Sequence, residues 1–173
     1  GGPGLGKSSA VALQKMINGE GGVCSDFSQI YSIFCVINDI KVKEWGLKNL
    51  SNDSSVSGGH SFNEVYCKEL QKWIMIDVAK SIIFYNGTKD APLSTLEFIA
   101  FKKQKKEINI ACIQANGSFD DGNAKKIFLF SKSLPFVITN YNNKIYDYFL
   151  EKLDFFPEPV IHGLLILIGK SYA

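Results

Sequence analysis

Two strand-patterned runs on either side of a short polar break constrain this chain more than any other feature. From His60 to Cys67 the residues alternate, with His60, Phe62, Glu64 and Tyr66 on one face and Ser61, Asn63, Val65 and Cys67 on the other. Trp73 to Val78 is a strongly apolar return strand, and Lys68-Glu69-Leu70-Gln71-Lys72 reads as the hairpin loop between them. A turn centred between Cys67 and Glu69 sets His60 nearly opposite Asp77. Directly opposed residues of an antiparallel pair have Cβ atoms about 5 Å apart, within reach for a carboxylate to hold an imidazole N–H.

A third group is delivered from upstream. The glycine-rich turn Gly19-Glu20-Gly21-Gly22 precedes Val23 and Cys24, after which Phe27, Ile30, Tyr31, Phe34 and Ile37 follow helical spacing, with Cys24 on the same face. Cys24 is therefore expected in the first turn of a largely buried helix. There the unpaired N–H groups and the positive end of the macrodipole favour a thiolate and can donate to an oxyanion. Cys35 and Cys112 read as small buried hydrophobes, one in that helix and one in an alternating strand-like run. Asp26 and Glu64 read as helix-dipole and surface partners, and Trp45 and Trp73 as core or cleft wall.

Composition narrows the function classes. All 19 basic residues are lysine, and with a formal net charge of only +2 the chain lacks the arginine forks that nucleic-acid readers favour, so no nucleic-acid partner is expected. Four cysteines and two histidines, His60 and His162, show no CxxC spacing, and neither a structural metal nor a cofactor is expected. The first residues show no charged-then-apolar leader pattern. The apolar run from Val160 to Ile168 is too short to cross a bilayer, so no membrane span is expected; localisation stays open.

Gly1 to Ser8 fits the letters of a phosphate-binding loop, GxxxxGKS, and Trp73 to Asp77 could serve as a strand ending in a magnesium-binding aspartate. Such a cradle needs a buried strand leading into the glycines, and none precedes Gly1. The favoured reading is a flexible segment over 1–8 followed by a serine-capped helix from Ser9 to Ile17, stopped at Asn18-Gly19.

Elsewhere, Ile40 to Leu47 reads as a strand, Lys48 to Gly59 as a polar loop, and Lys80 to Tyr85 as a further strand. Leu93 to Lys102 reads as a helix behind Pro92 and Ser94. Ile108 to Ile113 and Ile127 to Phe130 resemble strands, Asn142 to Leu153 a helix closed by Phe155-Phe156-Pro157. The lysine run from Lys102 to Lys106 reads as a solvated face or loop. The expected class is α+β, a single domain over 9–173 with its recognisable core in 9–85.

Three motifs carry a resemblance. Gly22-Val23-Cys24-Ser25-Asp26-Phe27, His60-Ser61-Phe62-Asn63-Glu64-Val65-Tyr66 and Trp73-Ile74-Met75-Ile76-Asp77 stand in the order cysteine, histidine, aspartate. They resemble the G-x-C-x-D-aromatic helix start, H-x-x-x-E-V-Y strand and W-x-x-x-D strand of the transglutaminase-like superfamily. The chain departs from that pattern between helix and histidine, where Lys41-Val42-Lys43-Glu44-Trp45 stands in place of a small-residue, arginine-bearing strand.

The resemblance implies a papain-like core, with the cysteine helix packed on an antiparallel sheet that carries the other two residues. It implies that His60 takes the proton of Cys24, that Asp77 orients the ring, and that the thiolate attacks an amide carbonyl of a peptide or protein substrate. The resulting acyl-thioester would pass to water or to an amine. Asn18, six residues before Cys24, has a spacing like that of the oxyanion glutamine in papain-like proteases; Gln14 is one turn further back, and the Cys24 backbone N–H is the stronger oxyanion donor. Two other readings stand beside the enzyme: a catalytically silent binding or scaffold module of the same fold, and a nucleotide-binding fragment built on Gly1 to Ser8.

Overall fold

A computed structural model of the chain describes residues 8–49, 59–114, 117–137, 148, 151–153 and 155–168. The phosphate-loop letters at 1–7, residues 50–58 of the loop expected over 48–59 and most of the helix expected over 142–153 lie outside the described residues. The architecture is α+β. Helices α1 (Ser9–Ile17) and α2 (Cys24–Ile37) precede strands β1 (Val42–Asn49), β2 (Gly59–Cys67), β3 (Lys72–Asp77) and β4 (Ile82–Asn86). Helix α3 (Thr95–Lys103), strand β5 (Ile108–Cys112), helix α4 (Asp121–Lys125), a π-helical turn over Lys126–Phe130, strand β6 (Ser133–Val137) and helix α5 (Glu158–Leu167) follow.

The six strands form one sheet in the order β5-β4-β3-β2-β1-β6, with every described pairing antiparallel. Helix α2 packs on β1 and β2, with α1 against α2, while α3 packs on β3 and β5. Asn63, on the α2 face of β2, donates from Nδ2 to the Ser28 carbonyl (3.2 Å) and to Ser32 Oγ (3.0 Å), so the sheet grips the helix through polar bonds. The opposite face carries the core of Trp45, Leu47, Phe62, Met75, Ile82, Phe84, Leu93, Phe98, Ala124 and Phe128. Phe128 is its hub, edge-on to Phe62, Phe84 and Phe98 at centroid distances of 5.8, 4.8 and 6.2 Å. Aromatic pairs in this geometry each contribute roughly 0.5–1.5 kcal/mol beyond the area they bury.

Local chemistry accounts for the boundaries. Ser8 Oγ accepts from Val11 N–H at the start of α1, and Ser94 and Glu97 cap α3 reciprocally, Ser94 Oγ accepting from Glu97 N–H (3.2 Å) and Glu97 accepting from Ser94 N–H (2.7 Å).

Four sequence-based expectations are corrected. The β2–β3 hairpin pairs Cys67 with Lys72 and Asn63 with Ile76, a register shifted by two from the expected one, so Asp77 falls opposite Phe62 and diagonal to His60. A two-residue shift preserves the face, so both side chains remain on the same side of the sheet. Ile127 to Phe130 is not a strand but continues α4 as a π turn. Ser133–Val137, read as no element in the sequence, pairs with β1 and extends the sheet.

Glu64, expected at the surface, is 2% exposed. Its Oε1 accepts from Thr95 N–H at the head of α3 (2.8 Å), its Oε2 from Trp45 Nε1 (3.3 Å), and Lys43 Nζ lies 3.6 Å from Oε2. A carboxylate at a helix N-terminus meets the positive end of the macrodipole and unpaired amides, which offsets its desolvation.

A thiol, an imidazole and a carboxylate at one end of the sheet

The turn into α2 is shaped by two glycines. Gly21 takes φ +77°, a left-handed conformation, and Gly22 runs so close to Met16 that a Cβ there would stand 2.8 Å from its sulfur. Asp26, fully buried in the first turn, accepts the Val23 N–H through Oδ2 (2.9 Å) and fixes where the helix begins. Cys24 is thereby the first residue of α2, half-buried, with the helix ahead of it.

His60 stands at the start of β2 and Asp77 at the end of β3, where the two strands leave the sheet at the same end. His60 Nε2 and Asp77 Oδ2 are 2.6 Å apart, with the two side chains 13% and 0% exposed. Asp77 Oδ1 accepts from the Lys80 backbone N–H at 3.1 Å, which fixes the carboxylate plane. With Nε2–H donated to Asp77, Nδ1 is the ring atom left for the thiol, and Cys24 and His60 are near enough that each shifts the titration of the other. Phe128 packs against the ring, edge-on to the imidazole at 5.6 Å and 83°.

The electrostatics follow from these contacts. Burial would raise the Cys24 thiol. The His60 hydrogen bond, the Ser61 backbone N–H, the charge on His60 and the Ser25 N–H together outweigh burial and hold the thiol below its ordinary value. For His60, burial acts to lower the pKa. The hydrogen bonds to Asp77 and Cys24 and their charges prevail, raising the ring to about 9. Both shifts favour the same state, a thiolate beside an imidazolium.

The structure thus brings Cys24, His60 and Asp77 together. Gln14 Nε2 donates instead to Asn18 Oδ1 (3.1 Å), the two residues forming a pair at the exposed end of α1. The backbone amides that lower the thiol are those of Ser61 and Ser25. Sequence reasoning did not single out either amide or Phe128. The Ser25 amide follows from a helix-start cysteine, whereas nothing local ties Phe128 to a histidine 68 residues earlier (128 − 60).

Asp26 takes the helix-start role expected of it, and Trp45 is in the core, while Trp73 lies half-buried beneath Lys43 Nζ, 3.9 Å from the ring centroid. Among the described residues no group of three His, Cys, Asp or Glu side chains could hold a metal, and no helix is long and apolar enough to cross a membrane. Compared with known proteins, the chain matches no family model, no curated protein and no solved structure.

Proposed function

We propose that this chain is a thiol enzyme of the transglutaminase-like type, built on a papain-like core, that cleaves or transfers the acyl group of a peptide or protein amide. The observation that carries the reading is the 2.6 Å bond between His60 Nε2 and Asp77 Oδ2, on an imidazole that lowers the Cys24 thiol at the head of a helix, at one end of the sheet. In it Cys24 is the nucleophile, His60 the general base and then acid, and Asp77 the group that holds the ring.

In the forward step the Cys24 thiolate adds to the amide carbonyl, forming a C–S bond and placing negative charge on oxygen. Amides of Ser25 and Ser61 and the N–H of Cys24 are the donors nearest to that charge. As the C–N bond breaks, imidazolium His60 gives its Nδ1 proton to the departing nitrogen, leaving an acyl-thioester and a neutral imidazole. Water or an amine, deprotonated by that imidazole, then releases the acyl group. The two outcomes differ only in which nucleophile enters. Asp77, fully buried and bonded to Lys80 N–H, keeps the ring in the tautomer that both steps require.

The experiment is interception of the thioester. Incubation with mixed peptide and isopeptide amides in the presence of hydroxylamine should yield peptide hydroxamates with the wild-type chain and none with Cys24→Ala. A wild-type sample in which Cys24 reacts with electrophiles yet no hydroxamate forms over a broad amide set would overturn amide chemistry as the function.

A further inference from the structure

Resting on the thiol-enzyme reading, we propose that Lys102 is a positioning residue for the row: it pins the π turn from α3 and thereby holds the Phe128 ring against His60. Lys102 Nζ donates to the carbonyl of Phe128 (2.6 Å) and to that of Ser131 (2.9 Å), partners 26 and 29 residues downstream. These are helix-end carbonyls. The Ser131 N–H already serves Lys126 O (3.0 Å) and its hydroxyl serves Ile127 O, so the Phe128 carbonyl is the next in line to lack a donor. A lysine supplied from another element completes the series.

The cost shows why this contact is more than a cap. Lys102 is half-buried and its ammonium is held below the ordinary lysine value by desolvation. Two neutral carbonyls are weak compensation for a half-buried cation, so an apolar side chain could serve packing at this position with less desolvation. What the cation does supply is geometry. Helix α3 packs on β3, the strand that ends in Asp77, so Lys102 ties the turn bearing Phe128 to the same frame as the carboxylate. Phe128 in turn touches His60 edge-on at 5.6 Å, on a ring already bonded to Asp77 at 2.6 Å.

His60 is therefore held by Asp77 from β3, by Cys24 from α2 and by an apolar ring whose backbone is held by Lys102. Release of the last contact frees the imidazole to tilt and admits water to the Nε2–Asp77 bond. Both effects weaken the imidazolium and, through it, the thiolate.

The test is the pH profile of Cys24 alkylation by iodoacetamide, followed residue by residue by mass spectrometry on the whole chain. Lys102→Met should move the acid limb up by about half a pH unit or more and slow alkylation at pH 6 roughly threefold or more, whereas Lys102→Arg, which retains two donors, should restore most of the wild-type profile. Lys72→Met is the control. It removes another lysine bond on α3, to Glu97 at 2.8 Å, without touching the π turn, and should leave the profile unchanged even where it lowers the melting temperature. Phe128→Leu probes the same link from the ring side and should shift the limb in the same direction, so the outcome stands even if Lys102→Met does not fold. An unmoved acid limb in Lys102→Met, or in Phe128→Leu where only that variant folds, overturns the inference while leaving the enzyme reading intact. A wild-type Cys24 with an ordinary acid limb overturns the reading itself.

Discussion

The two ends of helix α2 carry the same functional group and treat it in opposite ways. At the head, Cys24 is held below the ordinary thiol range. Near the tail, Cys35 is raised above it, 3% exposed, beside the Tyr31 hydroxyl, which burial raises in turn. Burial pushes both thiols upward, so burial does not separate them. The partners do: Cys24 meets an imidazole and two backbone N–H groups, whereas Cys35 meets a phenol at the helix end where the dipole opposes negative charge. A buried cysteine is thus inert by default and becomes a nucleophile only where the fold supplies a cation and free amides.

That contrast can be broken most severely at His60. His60→Ala removes the side chain that most lowers the Cys24 thiol, so it should slow Cys24 alkylation at pH 6 by more than about tenfold and erase its advantage over Cys35, Cys67 and Cys112. Retention of the advantage in His60→Ala would show that the helix head alone activates the thiol.

Asp77→Asn is the next largest perturbation. It keeps the shape but removes the charge that helps hold His60 near 9, and should lower alkylation at pH 6 roughly tenfold while Cys24 remains the fastest of the four. Competitive labelling with mass spectrometry reads both variants.

The hairpin that joins these residues was legible because alternation and a short polar break leave few other structures. Its register was not, since Lys68 to Gln71 forms a four-residue turn with Gln71 at φ +50°, a conformation that no motif in those letters announces. The slip of two residues left the site intact because strand faces repeat with the same period. The extent of helix α2 was likewise readable, from the glycines before Cys24 and the 3.6-residue spacing after it, but its buried face was not: Phe34 and Ile37 on the expected face are exposed, while Ser28, Gln29 and Ser32 are buried. The π turn was misread because four apolar residues in a row, Ile127 to Phe130, fit a short strand as well as a helix. Strand β6 was hidden by Pro135 in its centre, tolerable there because, among the described strands, β6 pairs only with β1 and stands at the sheet edge. Phe128 and Lys102 act across the fold, and no local pattern reports such contacts.

Two smaller effects sharpen the comparison. Amide turnover should be bell-shaped in pH. Its acid limb belongs to Cys24, below the ordinary thiol value, and its alkaline limb falls near 9, where His60 loses the proton it must donate. Alkylation of Cys24 should keep the acid limb and lack the alkaline one, because a thiolate needs no proton donor to displace iodide. The linkage is consistent in sign. The stability His60 contributes is complete below about 6.5 and lost through about 9, whereas that of Cys24 is lost as pH falls through its lowered value. Where the folded pair is thiolate–imidazolium and the unfolded pair is neutral, both states bind one proton, and urea midpoints should be flat there. Smallest of all, Cys35→Ala should cost about 1 kcal/mol in urea unfolding and leave Cys24 alkylation unchanged; a changed rate would mean that the two ends of α2 are coupled.

The most direct test of the thiolate–imidazolium row is nitrogen NMR of the histidine rings in the wild type and in Cys24→Ala. The account predicts that both nitrogens of His60 are protonated at neutral pH in the wild type, titrating near 9, and that the value drops when the sulfur is removed. A His60 ring that titrates near 6.5 in both proteins would contradict it.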